Sequence, residues 1–224
     1  GWINNAGATY VYNLFKRAAG FMDVVAYTGN GTTPRNITHN LGAVPEFIVT
    51  KRRDAVGAWP VYNPDLGITS TSAIRLNTND GSGYSQLSRY PSTPTSTVFT
   101  VGNDSDLNAS AGTYVSYLFA TLDGISKVGT YTGTGADLNV DCGFTGGARF
   151  ILIKRTDSSG DWYVYDSILG ISVGNSPYLL LNSTAAQVTG TGYIDPLNAG
   201  FKVTSSAPAG LNASGGTYTF LAIA

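Results

Sequence analysis

Long stretches of this sequence occur twice. AYTGNG at 26–31 recurs as TYTGTG at 130–135, FIVTKRRDAVGAWPVY at 47–62 as FILIKRTDSSGDWYVY at 150–165, and LNASAGTYVSYLFA at 107–120 as LNASGGTYTFLAIA at 211–224. The spacing stays near 104 residues, as from Tyr27 to Tyr131, and slips by a residue or two between blocks. An internal repeat constrains the fold more than any local pattern, because it sets the structural unit. Small insertions that cancel are tolerated in loops and not in strands, so the matched blocks read as the strands. The two copies are placed at 24–122 and 123–224. A third, partial echo of the closing phrase stands at 3–12, INNAGATYVY. Residues 1–23 are therefore expected to hold a closing strand, at 7–15, and a linker, both belonging to a preceding repeat.

Within the second copy, short runs rich in Val, Ile, Tyr, Phe and Thr alternate with Gly, Asn, Asp, Ser and Pro. They predict strands at 126–132, 138–143, 149–155, 161–166, 178–182, 186–194, 200–204 and 216–223. No segment carries a helical stripe. The expected fold is all-β: two tandem antiparallel β-sandwich repeats, jelly-roll-like, of about a hundred residues each, preceded by one extra strand. FILIKR is apolar on both faces for four residues, as a central strand buried on both sides would be. Gly57 and Gly160 occupy the same place in DAVGAW and DSSGDW and are expected to close a hairpin in the left-handed conformation.

After that hairpin, a period of two sets Trp59 and Val61 on one face with Tyr62 opposite, and Trp162 and Val164 on one face with Tyr163 and Tyr165 opposite. Both tryptophans are in register with a valine and are expected to fill the core. Tyr163 and Tyr165 then face outward, where an aromatic pair can stack on sugar rings. Tyr62, Tyr163 and Tyr165 are thus the candidate ligand residues. Lys51 and Lys154 join them through a second recurrence: Lys51, Arg52 and Asp54 match Lys154, Arg155 and Asp157. Such a set holds the strand end at the turn, or offers two basic spots to an acidic glycan.

Composition narrows the function. Charged residues are only 12 % of the chain and the net charge is −1, so nothing drives sequence-independent attraction to nucleic acid or anionic lipid. Low charge with abundant Gly, Ser, Thr, Asn and Tyr is the profile of an all-β protein of an extracellular or virion surface. No apolar run approaches the roughly 18 residues of a membrane helix, and neither nucleic acid nor membrane insertion is expected. Met22 is the sole methionine, so Gly1 is expected to be a cut within a longer natural protein.

Catalysis needs convergent titratable groups, and these are scarce. His39 is the only histidine and has no counterpart in the second copy, which excludes a histidine-based nucleophile site common to both. In ITHNLG it is expected to face solvent near a turn. Cys142, the only cysteine, leaves no intrachain disulfide and no thiolate cage, and reads as a small apolar strand residue. Asp104, Asp106 and Asn108 suggest a loop calcium site but lack the glycine and closing glutamate of a calcium hand. Asp137 and Asp141 read as turn residues. The glycine-rich GTYTGTG and GNGT have neither the lysine nor the following helix of a phosphate loop. No catalytic residue, metal or cofactor is expected.

The linked phrases YTGTG, FILIKRTDSSGDWYVYDS, YLLLNSTAA, YIDPLNAGFKV and LNASGGTYTFLAIA resemble a repeat domain common in tail fibre and related structural proteins of marine and environmental bacteriophages. The resemblance covers both copies. The first departs from it after residue 78, where GYSQLSRYPSTPTSTV replaces YIDPLNAG, and its ITHNLGAVPEFIV resembles a lead-in of fibre and lectin-like sandwich modules. The resemblance implies a non-enzymatic virion protein that acts as a spacer or host-attachment module. Its partners would be other copies of itself, neighbouring virion proteins and a host-surface glycan. Two rivals stand beside it: a carbohydrate-binding module of a secreted bacterial protein and a capsid decoration protein.

Overall fold

The computed structural model describes residues 6–7, 9–67, 73–83 and 85–224. In the first half the strands are β1 (Met22–Thr28), β2 (Arg35–Thr38), β3 (Phe47–Arg52), β4 (Pro60–Tyr62), β5 (Ile74–Arg75), β6 (Val98–Val101) and β7 (Thr113–Phe119). The second half has β8 (Ser126–Thr132), β9 (Leu138–Asp141), β10 (Phe150–Arg155), β11 (Trp162–Asp166), β12 (Leu179–Leu180), β13 (Ile194–Leu197), β14 (Gly200–Val203) and β15 (Thr217–Ile223). One-turn helices α1 (Ser105–Asn108) and α2 (Ala209–Asn212) precede β7 and β15.

Each half contains a five-stranded antiparallel sheet, in the order β1-β7-β3-β4-β5 and β8-β15-β10-β11-β12. Position for position the two orders are the same. A smaller sheet backs each one, β2-β6 in the first half and β13-β14-β9 in the second. The extra β13 comes from YIDPLNAG, which folds as a hairpin with β14. The strand expected at 186–194 is therefore displaced toward the C-terminus, and Val188 makes only an isolated bridge to Tyr178.

Three apolar cores follow. Ile37, Ile48, Tyr62, Tyr90, Phe99 and Leu118 fill the first sandwich, and Tyr131, Ile151, Ile153, Tyr165, Phe201 and Phe220 fill the second. The third lies between the halves, where the two five-stranded sheets pack face to face. Phe47, Val49, Val61 and Phe119 from one side meet Leu152, Trp162, Val164 and Leu221 from the other. The molecule is thus a stack of four sheets, and its middle layer belongs to both halves.

That layer corrects the expectation for Tyr163 and Tyr165. Period two places Trp162 and Val164 on one face and the tyrosines on the other, as expected, but both faces are core. Tyr163 and Tyr165 face the second sandwich, and Tyr62 faces the first; all three are buried. The tryptophans divide. Trp162 is buried in the middle layer, edge-on to Phe47 at 6.1 Å, whereas Trp59 is half-exposed, with the Lys51 ammonium 5.6 Å from its ring centre.

The strand expected at 7–15 is not formed: residue 8 lies outside the described residues, and 9–17 belong to no strand. The closing strands β7 and β15 sit in the middle of their sheets, between first and third strands. Both slots are filled from within the chain, so a third closing strand has none to enter. Phe15 instead wedges between Phe119 (5.9 Å) and Phe150 (5.2 Å), one from each half.

Candidate functional site

Each half is locked by the residues that recur. The phenol of Tyr114 donates to the carbonyl of Ser105 (2.8 Å) and accepts from the Ala109 amide (2.8 Å). Tyr218 does the same with Ala209 (2.6 Å) and Ala213 (2.7 Å). Tyr27 stacks on Tyr114 at 5.1 Å and Tyr131 on Tyr218 at 4.8 Å, and their hydroxyls donate to Leu107 and Leu211. Asn108 accepts from the Asn30 amide and donates to the Thr32 carbonyl, while Asn212 accepts from the Thr134 amide and donates to the Ala136 carbonyl. YTG and LNAS therefore clasp each other. A Cβ on Gly29 or Gly133 would collide with the carbonyl of Ala109 or Ala213, which is why glycine stands there.

The recurring charges complete the clasp. Arg52 grips Asp54 through Nε and Nη2, both at 3.1 Å, and Arg155 grips Asp157 at 2.9 and 3.0 Å. The same carboxylates accept from the Thr113 and Thr217 amides. The Arg155 guanidinium and the Thr217 amide hold the Asp157 carboxyl below the usual carboxylate range. This network is the turn-holding alternative, not a pair of basic spots.

Lys51 and Lys154, the remaining candidates, separate. Lys51 stays near the surface and donates to the Gly57 carbonyl (3.0 Å). Lys154 is fully buried, and its ammonium donates to the carbonyl of Arg155 (2.7 Å) and, across the boundary, of Asn79 (3.4 Å). Burial pushes its pKa down to about 8. It is out of reach of any glycan.

Other expectations are revised in the same way. Gly57 and Gly160 are not left-handed. Gly57 is needed because a Cβ would run into the Asp106 carboxylate, and the Gly160 amide donates to Asn79. His39 is buried, with Nε2 3.1 Å from the Thr95 carbonyl and Nδ1 accepting from the Leu41 amide at 3.3 Å. Asp104 accepts from the Arg89 guanidinium and caps α1, while Asp106 accepts from the Ala58 amide. With Asn108 spent in the clasp, these oxygens do not converge on a calcium position, and no group of three metal-ligating acids, His or Cys occurs among the described residues. Asp141 accepts from the Gly143 amide, as a turn residue does.

Several surface grooves remain open. An apolar one of about 410 Å³ runs between the large sheets, lined by Phe15, Trp59, Leu76, Tyr117, Leu181 and Leu221. Beside it, Asn77, Asn79, Asp80, Asp161, Asn182 and Ser183 form a polar shelf of about 510 Å³. Asn77 and Asn182 are equivalent residues of the two halves, and they accept the amides of Trp59 (2.9 Å) and Trp162 (2.7 Å). A third groove, about 480 Å³, follows the outer margin of β8, with Glu46, Asp65 and Asp141 opposing Lys127. Burial and then the neighbouring Glu46 raise the Asp65 pKa. None of these positions was legible as a site, because each groove joins segments far apart in the sequence.

Among known proteins, the model of one family matches residues 15–224, and that family is described as a domain of unknown function (DUF7483). No curated protein and no solved structure matches the chain.

Proposed function

The chain belongs to the DUF7483 family, and we propose that it is a non-enzymatic structural protein of a virion, a tail fibre or appendage module acting as a spacer and host-surface attachment unit. One observation carries this reading: the side chains that recur in both halves are turned onto one another. Tyr114 with Asn108, Arg52 and Asp54, and Tyr218 with Asn212, Arg155 and Asp157, all bond within their own clasp. What the repetition preserves is a shape. A repeated enzyme or lectin would instead retain a set of side chains presented to a ligand. The shared middle layer adds stiffness, which a spacer requires. Immuno-labelling of the parent particle tests the reading, with label expected along a fibre or appendage. Label on the capsid shell would favour a decoration protein, and absence from the particle would overturn the proposal.

The polar shelf supports the attachment part of this role. The Asn79 amide and the second carboxylate oxygen of Asp161, whose first oxygen accepts from Asn182 at 2.7 Å, suit sugar hydroxyls, and the half-exposed Trp59 adjoins them. A glycan array on the intact chain should show saturable binding that Asn79→Ala weakens. Absence of binding leaves the spacer role alone.

A further inference from the structure

The equivalent edge strands β1 and β8 differ in what their open sides meet. Met22 exchanges both backbone bonds with Ala18, and Ser126 does so with Leu122. Period two therefore points the amides and carbonyls of Val24, Ala26 and Thr28, and of Val128, Thr130 and Thr132, away from the sheet. At β1 the Val24 amide donates to Asp23 and the Thr28 carbonyl accepts from Arg35, which engages both ends of the open edge. Among the described residues, only the Val128 amide is engaged on the open side of β8, by Thr121 Oγ1. Thr130 and Thr132 then present consecutive unpaired groups on the acidic groove side, a ready template for another strand.

Residues 9–15 have the sequence of such a strand. Thr9, Tyr10, Val11, Leu14 and Phe15 match Thr113, Tyr114, Val115, Leu118 and Phe119 of β7. The turn that follows matches too. Gly20 and Gly124 are both left-handed, with φ of 75° and 70°, and the Ala18–Met22 bridge repeats the Leu122–Ser126 bridge. Burial does not match. Tyr114 and Leu118 are fully buried, while Tyr10 is 37 %, Tyr12 62 % and Leu14 91 % exposed. A sequence that is core in one place thus lies on the surface in another. It is followed by Lys16, and by Arg17, whose guanidinium pairs with Asp23 of its own copy at 2.6 Å; the β8 groove carries three carboxylates against one ammonium. Within one copy Phe15 is tied to Phe119 and Phe150, neither of which lines that groove.

We propose that residues 9–14 of one copy dock as an added strand along β8 of a second copy, while Phe15 and Arg17 stay anchored on Phe119, Phe150 and Asp23 of their own copy. The arm's backbone pairs with Thr130 and Thr132, and Lys16 lies among Glu46, Asp65 and Asp141. Arm and groove are different surfaces, so the contact is head to tail and propagates into a linear array or a ring. The inference rests on the spacer reading only for its meaning. A chain found in a fibre yet monomeric in solution would defeat this contact and leave that reading standing.

Sedimentation velocity of the full chain at rising concentration tests it. Association is expected to grow with concentration and weaken with salt. Leu14→Glu, at a side chain 91 % exposed, and Thr130→Pro, which removes an outward amide, should each weaken it about tenfold or more. Lys16→Glu should weaken it as well, and Asp65→Lys in the same chain should restore it. Because Thr130→Pro can disturb β8 itself, a second measurement joins Tyr12→Cys to Thr130→Cys, with a disulfide expected between copies on oxidation. A single monomeric species at every concentration overturns the proposal. So does association that survives either Leu14→Glu or Thr130→Pro, or failure of the cysteines to join.

Discussion

The indole N–H of Trp162 donates to the carbonyl of Arg75 at 2.9 Å, tying the second half of the chain to the first inside the layer they share. The ring also meets Phe47 of the opposing sheet. Replacing Trp162 with Ala should cost about 3–5 kcal/mol, as large-to-small changes in a packed core do. Both halves should still unfold in one urea transition followed by far-UV circular dichroism. Trp59→Ala, at a half-exposed ring, should cost clearly less. Two separated transitions in the Trp162 variant would show that the halves do not share a cooperative core.

The tyrosine clasps make a second prediction. Tyr114→Phe and Tyr218→Phe keep the stacked ring but strand the amides of Ala109 and Ala213, while the carbonyls of Ser105 and Ala209 keep the Arg52 and Arg155 guanidinium groups as donors. Each should lose about 0.5–1.5 kcal/mol, the net worth of an ordinary hydrogen bond at a half-buried site. Tyr193→Phe, at a half-exposed phenol, should change little. Equal losses at all three sites, measured by denaturant midpoint, would mean that the clasp contributes nothing special.

Most strand positions, the all-β class and the two-sided burial of FILIKR could be read from the sequence, because period two and turn residues report local geometry, but the strand expected at 186–194 lies at Ile194–Leu197 and none forms over 9–17. Which residues share a face was also legible: Trp162 with Val164, Tyr163 with Tyr165. What lies over each face was not. Alternation distinguishes two sides of a strand, yet nothing in WYVYD says that a second sheet covers the side facing the other half. Sequence alone therefore places Tyr163 and Tyr165 at solvent and Lys154 at the surface, whereas all three are buried. His39 failed for a related reason, since its partner Thr95 lies in a segment that differs between the copies.

Burial lowers the His39 pKa below the ordinary value of 6.5. The unfolded chain then binds the proton more readily than the folded one, so stability is full above about pH 6.5 and falls as the pH drops through that value. Urea midpoints between pH 7.5 and 5 should decline in the native chain, and His39→Gln should remove that part of the slope. An identical slope in the variant would assign it to the carboxylates.

Lys154 acts at the other end of the scale. Its folded pKa of about 8 lies below the ordinary 10.5, so the unfolded state again holds more protons across that interval, and stability should rise as the pH climbs from about 8 toward 10.5. Lys154→Met, which keeps the buried stem and drops the charge, should flatten this rise and leave the variant at least as stable as the native chain near neutrality. A variant much less stable at pH 7 would mean that the bonds to Arg155 and Asn79 outweigh the cost of burying the ammonium.

β7 lies between β1 and β3, though dozens of residues separate it from both. During synthesis the two outer strands leave the ribosome well before their common neighbour exists, and they cannot pair with each other without occupying its place. The nascent first half must therefore wait with an open seam, rich in Val, Ile and Tyr and exposed to any chaperone or stray strand that arrives first. Closure is late, non-local and slow. A translational pause taken while β7 is still inside the ribosome would prolong that exposure.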